Sequence, residues 1–148
     1  MIYFGYGANL DPLTMAERIP TAIPMVPAWI DGYVLTFEKP CSDGMGRSTI
    51  INTGRKRDRV YGAIYEVSYH GMQALDGYEG TPRHYQRTPL PVLASGGWRF
   101  NAWTYQAQIR KVGIEPPDWY VDKILAGIDY WRIPSGYRRK VLETANRF

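Results

Sequence analysis

Hydrophobic and polar positions change their period several times along these 148 residues, and each change marks an element. Residues 2–6 (Ile-Tyr-Phe-Gly-Tyr) are a continuous apolar run that predicts a buried first strand. Gly5, Gly7 and Asn9 break that run, and Asp11-Pro12 opens a helical spacing, with Leu13, Ala16 and Ile19 along one face of a helix over 12–19. Pro20 and Pro24 then impose extended chain. From Met25 to Phe37 the pattern predicts one strand with a bulge or bend at Gly32. An irregular, turn-rich loop over 38–47 follows, of the kind that borders a pocket.

Ser48–Asn52 predicts a short strand, and Arg59–Val67 a central one, because apolar residues fall on both of its faces. A short helix over Tyr69–Leu75 leads into the turn Asp76-Gly-Tyr-Glu-Gly80. Strands near 84–94 and 98–108 flank the hairpin signal Ser95-Gly-Gly97. Pro116-Pro-Asp118 starts a helix that runs to Tyr130, and Pro134-Ser135 starts another that runs to Thr144; their apolar positions would cover one side of a sheet. The elements add up to an α+β fold in one domain over 1–148. Five or six mostly antiparallel strands curl into a sheet or small mixed β-barrel with flanking helices.

Composition narrows the class. Hydrophobic residues at 45% supply an adequate core for one domain of this length. Twelve tyrosines and five tryptophans supply rings that serve either the core or a pocket wall that must be apolar and also hydrogen-bond. Cys41 stands alone, which excludes an internal disulfide and fits a reducing compartment. His70 and His84, with one cysteine and neither HExxH nor CxxC, point away from a zinc site, and nothing implies a cofactor. The N-terminus has no basic region ahead of its short apolar run, and no apolar stretch reaches membrane-spanning length, so the sequence reads as cytoplasmic, with no membrane partner. The net charge of +4 is concentrated in Arg55-Lys56-Arg57 with Arg59 and in Arg138-Arg139-Lys140. The first fits a hairpin tip and the second an exposed helix face, which ranks a basic nucleic-acid-binding module low.

Two features carry candidate chemistry. The loop Gly5–Leu10 offers backbone N–H groups at the positive end of a helix dipole, suited to a carboxylate or phosphate. Glu79, in a glycine-flanked turn between a helix and a strand, is placed to be held in a cleft. In an aromatic-walled pocket its pKa would rise by desolvation, with Asp76 adding a like-charge push, and it would serve as a general base.

Tyr6-Gly7-Ala8-Asn9-Leu10, Gly62, Leu75-Asp76 with Glu79-Gly80, Tyr85, Thr104-Tyr105, and Pro117 with Tyr120, Ile124, Gly127, Pro134, Tyr137 and Leu142 follow one another along nearly the whole chain. In that order they resemble the γ-glutamylcyclotransferase family, which includes γ-glutamylamine cyclotransferases and AIG2-like proteins. The resemblance implies a small barrel with flanking helices and a cleft between the first loop and the acidic turn. It implies Glu79 as the catalytic glutamate and the Tyr6–Leu10 loop as the holder of a γ-glutamyl group. The implied activity releases 5-oxoproline and a free amine from a small γ-glutamyl substrate.

Several roles stay open at this level. Tyr85 and Tyr105 either line the cleft and hold substrate or Glu79 by their hydroxyls, or pack in the barrel wall. Asn9 serves substrate or caps the local backbone, Tyr6 reads mainly as packing, and His84 reads as incidental. The chain departs from the family pattern in carrying Ala8 in place of a common Ser, and Arg132-Ile133-Pro134 in place of Gly-Leu-Pro. With Ala8, recognition at that position rests on backbone N–H groups. The leaving amine depends on the outer wall, formed by the 38–47 loop and the C-terminal helices. The alternative is a non-catalytic small-molecule binding domain on the same fold, and the assembly is a monomer or a homodimer.

Overall fold

The strands are β1 (Ile2–Gly5), β2 (Ile23–Asp31), β3 (Tyr33–Pro40), β4 (Gly46–Asn52), β5 (Arg59–Glu66), β6 (Tyr85–Ala94) and β7 (Trp98–Ala107), in a computed structural model that describes residues 1–147. The helices are α1 (Pro12–Arg18), α2 (Tyr69–Glu79), α3 (Asp118–Trp131) and α4 (Ser135–Thr144). Five strands close into a barrel in the order β1-β5-β2-β6-β7. Every pairing in it is antiparallel except the closing one, where β1 meets β7 in parallel at Tyr3 and Trp103. The α+β fold with a mixed, mostly antiparallel barrel is therefore the one the periodicities predict. The run of apolar residues in β5 is central as expected, with Val60, Ala63, Ile64 and Tyr65 all buried. Gly62, between them, lets β1 approach, since a Cβ there would stand 2.6 Å from the Gly5 carbonyl oxygen.

The expected strand over 25–37 is two strands that belong to different sheets. Gly32 sits at φ +84°, a conformation that glycine adopts without strain, and the chain turns there out of the barrel. The corner is fixed by its own hydrogen bonds: Gly32 N–H donates to Asp58 O at 2.8 Å, and its carbonyl accepts from Thr53 N–H at 2.8 Å. Beyond it β3 pairs only with β4, from Tyr33 opposite Asn52 to Pro40 opposite Gly46. The irregular loop expected over 38–47 shrinks accordingly to the turn between Pro40 and Gly46. The proline and the Ser-Asp-Gly cluster conceal a two-stranded ribbon whose pairing resumes past a register shift between Thr36 and Lys39.

Helix α2 is also longer than its apolar spacing suggests. Ser68 caps its start by accepting from Gly71 N–H at 3.0 Å, and the residues read as a turn, Asp76 to Glu79, form its last turn. Gly80, at φ +65°, ends it: Gly80 N–H closes on Gly77 O at 3.2 Å and Thr81 N–H on Asp76 O at 3.0 Å, the paired bonds of a Schellman stop. α3 ends in the same way, with Arg132 N–H on Asp129 O at 3.3 Å and Ile133 N–H on Ile128 O at 3.0 Å. There the left-handed position, φ +55°, is occupied by an arginine. α3 packs directly on the first loop, because Gly127 has no side chain; a Cβ would stand 2.6 Å from Leu10 Cγ.

Left-handed backbone costs a non-glycine residue about 1 kcal/mol. Arg132→Gly should therefore stabilise the protein by about 1 kcal/mol, read in thermal unfolding as a rise of roughly 2–4 °C in Tm. An unchanged or lowered Tm would show that the arginine side chain supplies a compensating contact.

Candidate functional site

After β1 the chain makes a single 3-10 turn over Ala8–Leu10 before Asp11 caps α1, its carboxylate accepting from Leu13 N–H at 3.2 Å and from the Thr14 hydroxyl at 2.9 Å. The capping by Asp11 with Pro12 at the first helical position is as the sequence predicts. The glycines of this loop serve a different purpose from the one expected. Neither Gly5 nor Gly7 takes a positive φ. Gly7 is required because a side chain would collide with Ser48 Oγ and come within 3.0 Å of the Tyr120 hydroxyl.

The loop's hydrogen bonding is one-sided. Its four carbonyls from Gly7 to Leu10 are all taken: by Leu10 N–H at 3.0 Å, Asp11 N–H at 3.2 Å, the Tyr65 hydroxyl at 2.7 Å and the Trp131 indole N–H at 3.0 Å, respectively. Among the described residues the N–H groups of Gly7, Ala8 and Asn9 meet no acceptor. The result is a surface of donors, which suits an anion or a developing oxyanion. Leu10 is an exception among the expected contact residues. Its side chain is fully buried in the core and its N–H is consumed by the turn, so it braces the loop from behind.

Asn9 neither caps the local backbone nor leaves its amide free. Its side chain is buried; Nδ2 donates to the Tyr3 hydroxyl at 3.0 Å and Oδ1 accepts from the Arg18 guanidinium at 3.0 Å. Asn9 thereby ties β1 and the end of α1 to the loop.

Glu79, the last residue of α2, faces this loop across a cavity of about 610 Å³. It is half-buried, and among the described residues its carboxylate makes no hydrogen bond or ion pair. Burial pushes its pKa up to about 7, against the pull of Arg18 and Lys39, which favour the ionised form. The like-charge push expected from Asp76 is absent. Three residues earlier on the helix, Asp76 accepts from the Tyr105 hydroxyl at 2.7 Å and lies 3.6 Å from Arg87 Nε, so its charge is engaged by β6 and β7.

Tyr6, Gly7, Ala8, Asn9, Glu79, Tyr85 and Tyr105 all line the cavity, which brings together every predicted site residue except Leu10. The tyrosine hydroxyls, however, do not reach Glu79. Tyr6 donates to the Tyr105 carbonyl, Tyr85 to the Ser48 carbonyl at 2.7 Å and Tyr105 to Asp76. Their rings form the wall and their hydroxyls anchor it to the backbone. Burial holds these phenols, with Tyr3 and Tyr120, above the usual tyrosine range, so they stay neutral.

Sequence reasoning placed the outer wall in the 38–47 segment and the C-terminal helices without naming its residues, and it missed Arg18 and Ser48. Arg18, Lys39, Arg47, Ser48, Trp119 and Tyr120 also line the cavity, as does His84, set aside as incidental. The Tyr120 hydroxyl lies 2.6 Å from Ser48 Oγ, while the Arg47 guanidinium stacks 5.0 Å from the Trp119 ring centre and pairs with Asp43 at 2.9 Å. Lys39 could have been found, since strand alternation places it on the same face as Leu35 and Phe37; reading 38–47 as a loop concealed it. Among the described residues no cluster of His, Cys, Asp and Glu could hold a metal ion, and no helix is long and apolar enough to cross a membrane. In the basic clusters Arg55 pairs with Asp58 at 2.9 Å, Arg59 with Asp31 at 2.7 Å and Arg138 with Asp129 at 3.3 Å.

A family model described as gamma-glutamyl cyclotransferase, AIG2-like, matches residues 3–122. Among solved structures, that of a gamma-glutamyl cyclotransferase superposes with a TM-score of 0.87 at 22% identity, covering 95% of this chain and 85% of that one. An uncharacterized protein from Homo sapiens gives 0.86 at 23% identity, with the same 95% and 85% coverage. YkqA from Bacillus subtilis gives 0.83 at 22% identity over 99% of this chain, which spans 54% of that one. These likenesses are of fold. No curated protein sequence matches the chain.

The raised pKa of Glu79 has a measurable thermodynamic consequence. Between its ordinary value of 4.5 and about 7 the folded state holds a proton that the unfolded chain has released, so stability falls as pH rises through this window. Glu79→Gln removes the titration. Relative to the wild type, the variant should gain up to about 3 kcal/mol between pH 4 and pH 8 in denaturant unfolding. Parallel pH profiles for the two proteins would refute the shifted ionisation.

Proposed function

The chain belongs to the gamma-glutamyl cyclotransferase, AIG2-like family, and we propose that it converts a γ-glutamyl amine or γ-glutamyl amino acid into 5-oxoproline and the free amine. The observation that carries this reading is the pairing, across one cavity, of an unpartnered carboxyl held near neutrality with a loop of unpartnered N–H donors. The nucleophile is the substrate's own α-amine, which attacks its own γ-carbonyl carbon. A new C–N bond closes the five-membered ring and the original amide C–N bond breaks. This chemistry needs no serine, cysteine or metal from the protein.

The cavity has three tasks. It folds the γ-glutamyl chain so that the amine lies against the carbonyl, and proximity of this kind is worth on the order of 7–11 kcal/mol in intramolecular reactions. It moves protons: Glu79, as carboxylate, takes one from the α-ammonium and, as acid, returns it to the departing nitrogen. A pKa of about 7 suits both halves of that cycle, a role worth roughly 10²–10⁴ in rate. It stabilises negative charge, on the α-carboxylate and on the oxyanion that forms at the γ-carbonyl, through the N–H groups of Gly7, Ala8 and Asn9. Tyr6, Tyr85 and Tyr105 supply a rigid, partly apolar wall, and Asn9 supports the loop and Arg18.

Purified protein incubated with γ-glutamyl dipeptides and γ-glutamylamines should release 5-oxoproline. Glu79→Gln should lower kcat by roughly 10²–10⁴ while remaining folded. Because the base must be ionised, kcat/KM should fall tenfold per pH unit below about 7. A Glu79→Gln enzyme with undiminished turnover would sink the proton-transfer role, and binding without 5-oxoproline would sink the reaction.

A further inference from the structure

Among the described residues Lys39 is a buried ammonium with no carboxylate in direct contact, Glu79 acting on it from across the cavity. It stands at 6% exposure on the inward face of β3, and the partners it touches among the described residues are soft or neutral. Nζ lies 3.4 Å from His84 Nδ1, 4.0 Å from Cys41 Sγ and 5.5 Å from the centre of the Tyr85 ring. Lysine can only donate, so in this contact Nδ1 of His84 is the acceptor. Among the described residues no carboxylate oxygen lies within 4.0 Å of Nζ. A buried charge in this condition is costly and is matched when an anion arrives.

The charges around the cavity set the kind of anion. Arg47 is neutralised by Asp43 at 2.9 Å. Arg18 and Lys39 then face the single carboxylate of Glu79, which leaves the cavity one positive charge in excess when Glu79 is ionised. The two cations are held on different walls. Arg18 is bound through Asn9 to the loop of free N–H groups, while Lys39 is held by His84 and Cys41 beside Tyr85. A γ-glutamyl group carries one α-ammonium and one α-carboxylate and is neutral overall. A leaving amine with its own carboxylate gives a substrate of net −1 and complements the cavity. A neutral alkylamine gives zero and a diamine gives +1, which repels.

We propose that Lys39 is the residue that selects the leaving group, binding a carboxylate on it and so favouring γ-glutamyl derivatives of amino acids or short peptides over those of neutral or cationic amines. The inference rests on the cyclotransferase reading of the same cavity. Arg18 and the loop take the γ-glutamyl end; Lys39 takes the far end.

The test compares γ-glutamylalanine, γ-glutamylalaninamide and γ-glutamylputrescine, which carry net charges of −1, 0 and +1. Both kcat/KM for 5-oxoproline release and Kd by calorimetry are measured. Wild type should favour the alanine substrate over its amide by at least about tenfold, and the putrescine substrate should be the poorest. Lys39→Met should bring the alanine-to-amide ratio close to one, and Lys39→Arg should keep it. Equal use of acid and amide by the wild type would overturn the proposal. So would a Lys39→Met variant that loses both substrates equally, since the lysine would then act at the reacting carbonyl. If Lys39→Met does not fold, the wild-type ratio and the retained preference of Lys39→Arg still decide. Absence of 5-oxoproline from all three substrates would refute the catalytic reading, and the Kd ratio would then judge Lys39 by itself.

Discussion

Everything at the site depends on how the loop between β1 and α1 is satisfied from behind. A polar group withdrawn from water must find a partner, and here two aromatic side chains donate to the loop's carbonyls while none accepts from its N–H groups. Tyr65 and Trp131 cover the carbonyls of Asn9 and Leu10 from the core side, and the 3-10 turn consumes the other two. The loop is left with its donors turned toward the cavity. The same rule accounts for the tyrosine content. The hydroxyls of Tyr6, Tyr85 and Tyr105 are tied to a backbone carbonyl or a carboxylate on another element, those of Tyr3 and Tyr120 to Asn9 and Ser48, and these ties hold the first loop, the β3–β4 ribbon and the barrel in one arrangement. Tyr137 is the departure, a buried tyrosine hydroxyl for which no partner is found among the described residues, and it lies in α4, outside the cavity's lining.

Glu79 gains its character from burial at the C-terminal end of α2, where its neighbours exclude water. Arg18 and Lys39 limit the effect. The carboxyl is thereby poised between its two forms. The stop that places it there is a geometric device, since Gly80 must be left-handed and also lacks room for a side chain, a Cβ there standing 2.6 Å from His84 Cδ2. One residue thus ends the helix, orients the acid and seats the imidazole that holds Lys39.

The barrel and its strands were largely legible in the sequence, because the β1, β5, β6 and β7 patterns are local and each strand carries its own signal. Legibility failed where glycine has more than one use. Gly32 read as a bend within a strand, yet it separates two sheets. Gly77 and Gly80 together read as a turn around Glu79, yet Gly77 lies inside α2 and only Gly80 breaks it. The acid and the loop each stand in a distinctive local pattern, and the family resemblance is what placed them in one cleft. Arg18, Lys39, Arg47 and Tyr120 were not named as site residues, because they come from four elements and only the folded chain shows which side chains of those segments meet in one cavity. The departure at Arg132 is informative in the opposite sense: the position has the backbone of a glycine even though the side chain differs.

The ribbon of β3 and β4 has no strand partner in the barrel. It is fastened instead at a few points, among them Gly46 N–H to Glu115 O at 2.8 Å, Lys111 N–H to Glu38 O at 2.7 Å and Ala107 N–H to the Thr49 hydroxyl at 2.9 Å. The loop donors and Glu79 come from segments joined to the closed barrel, whereas Lys39, Arg47 and Ser48 come from this appended hairpin. The molecule is therefore divided between a closed barrel that fixes the loop donors and Glu79 and an appended hairpin that supplies much of the facing wall. Side chains of the hairpin that carry none of these ties are free of the barrel's register, so under the proposed function the cavity's outer end is the part that substitution can reshape at least cost to the fold.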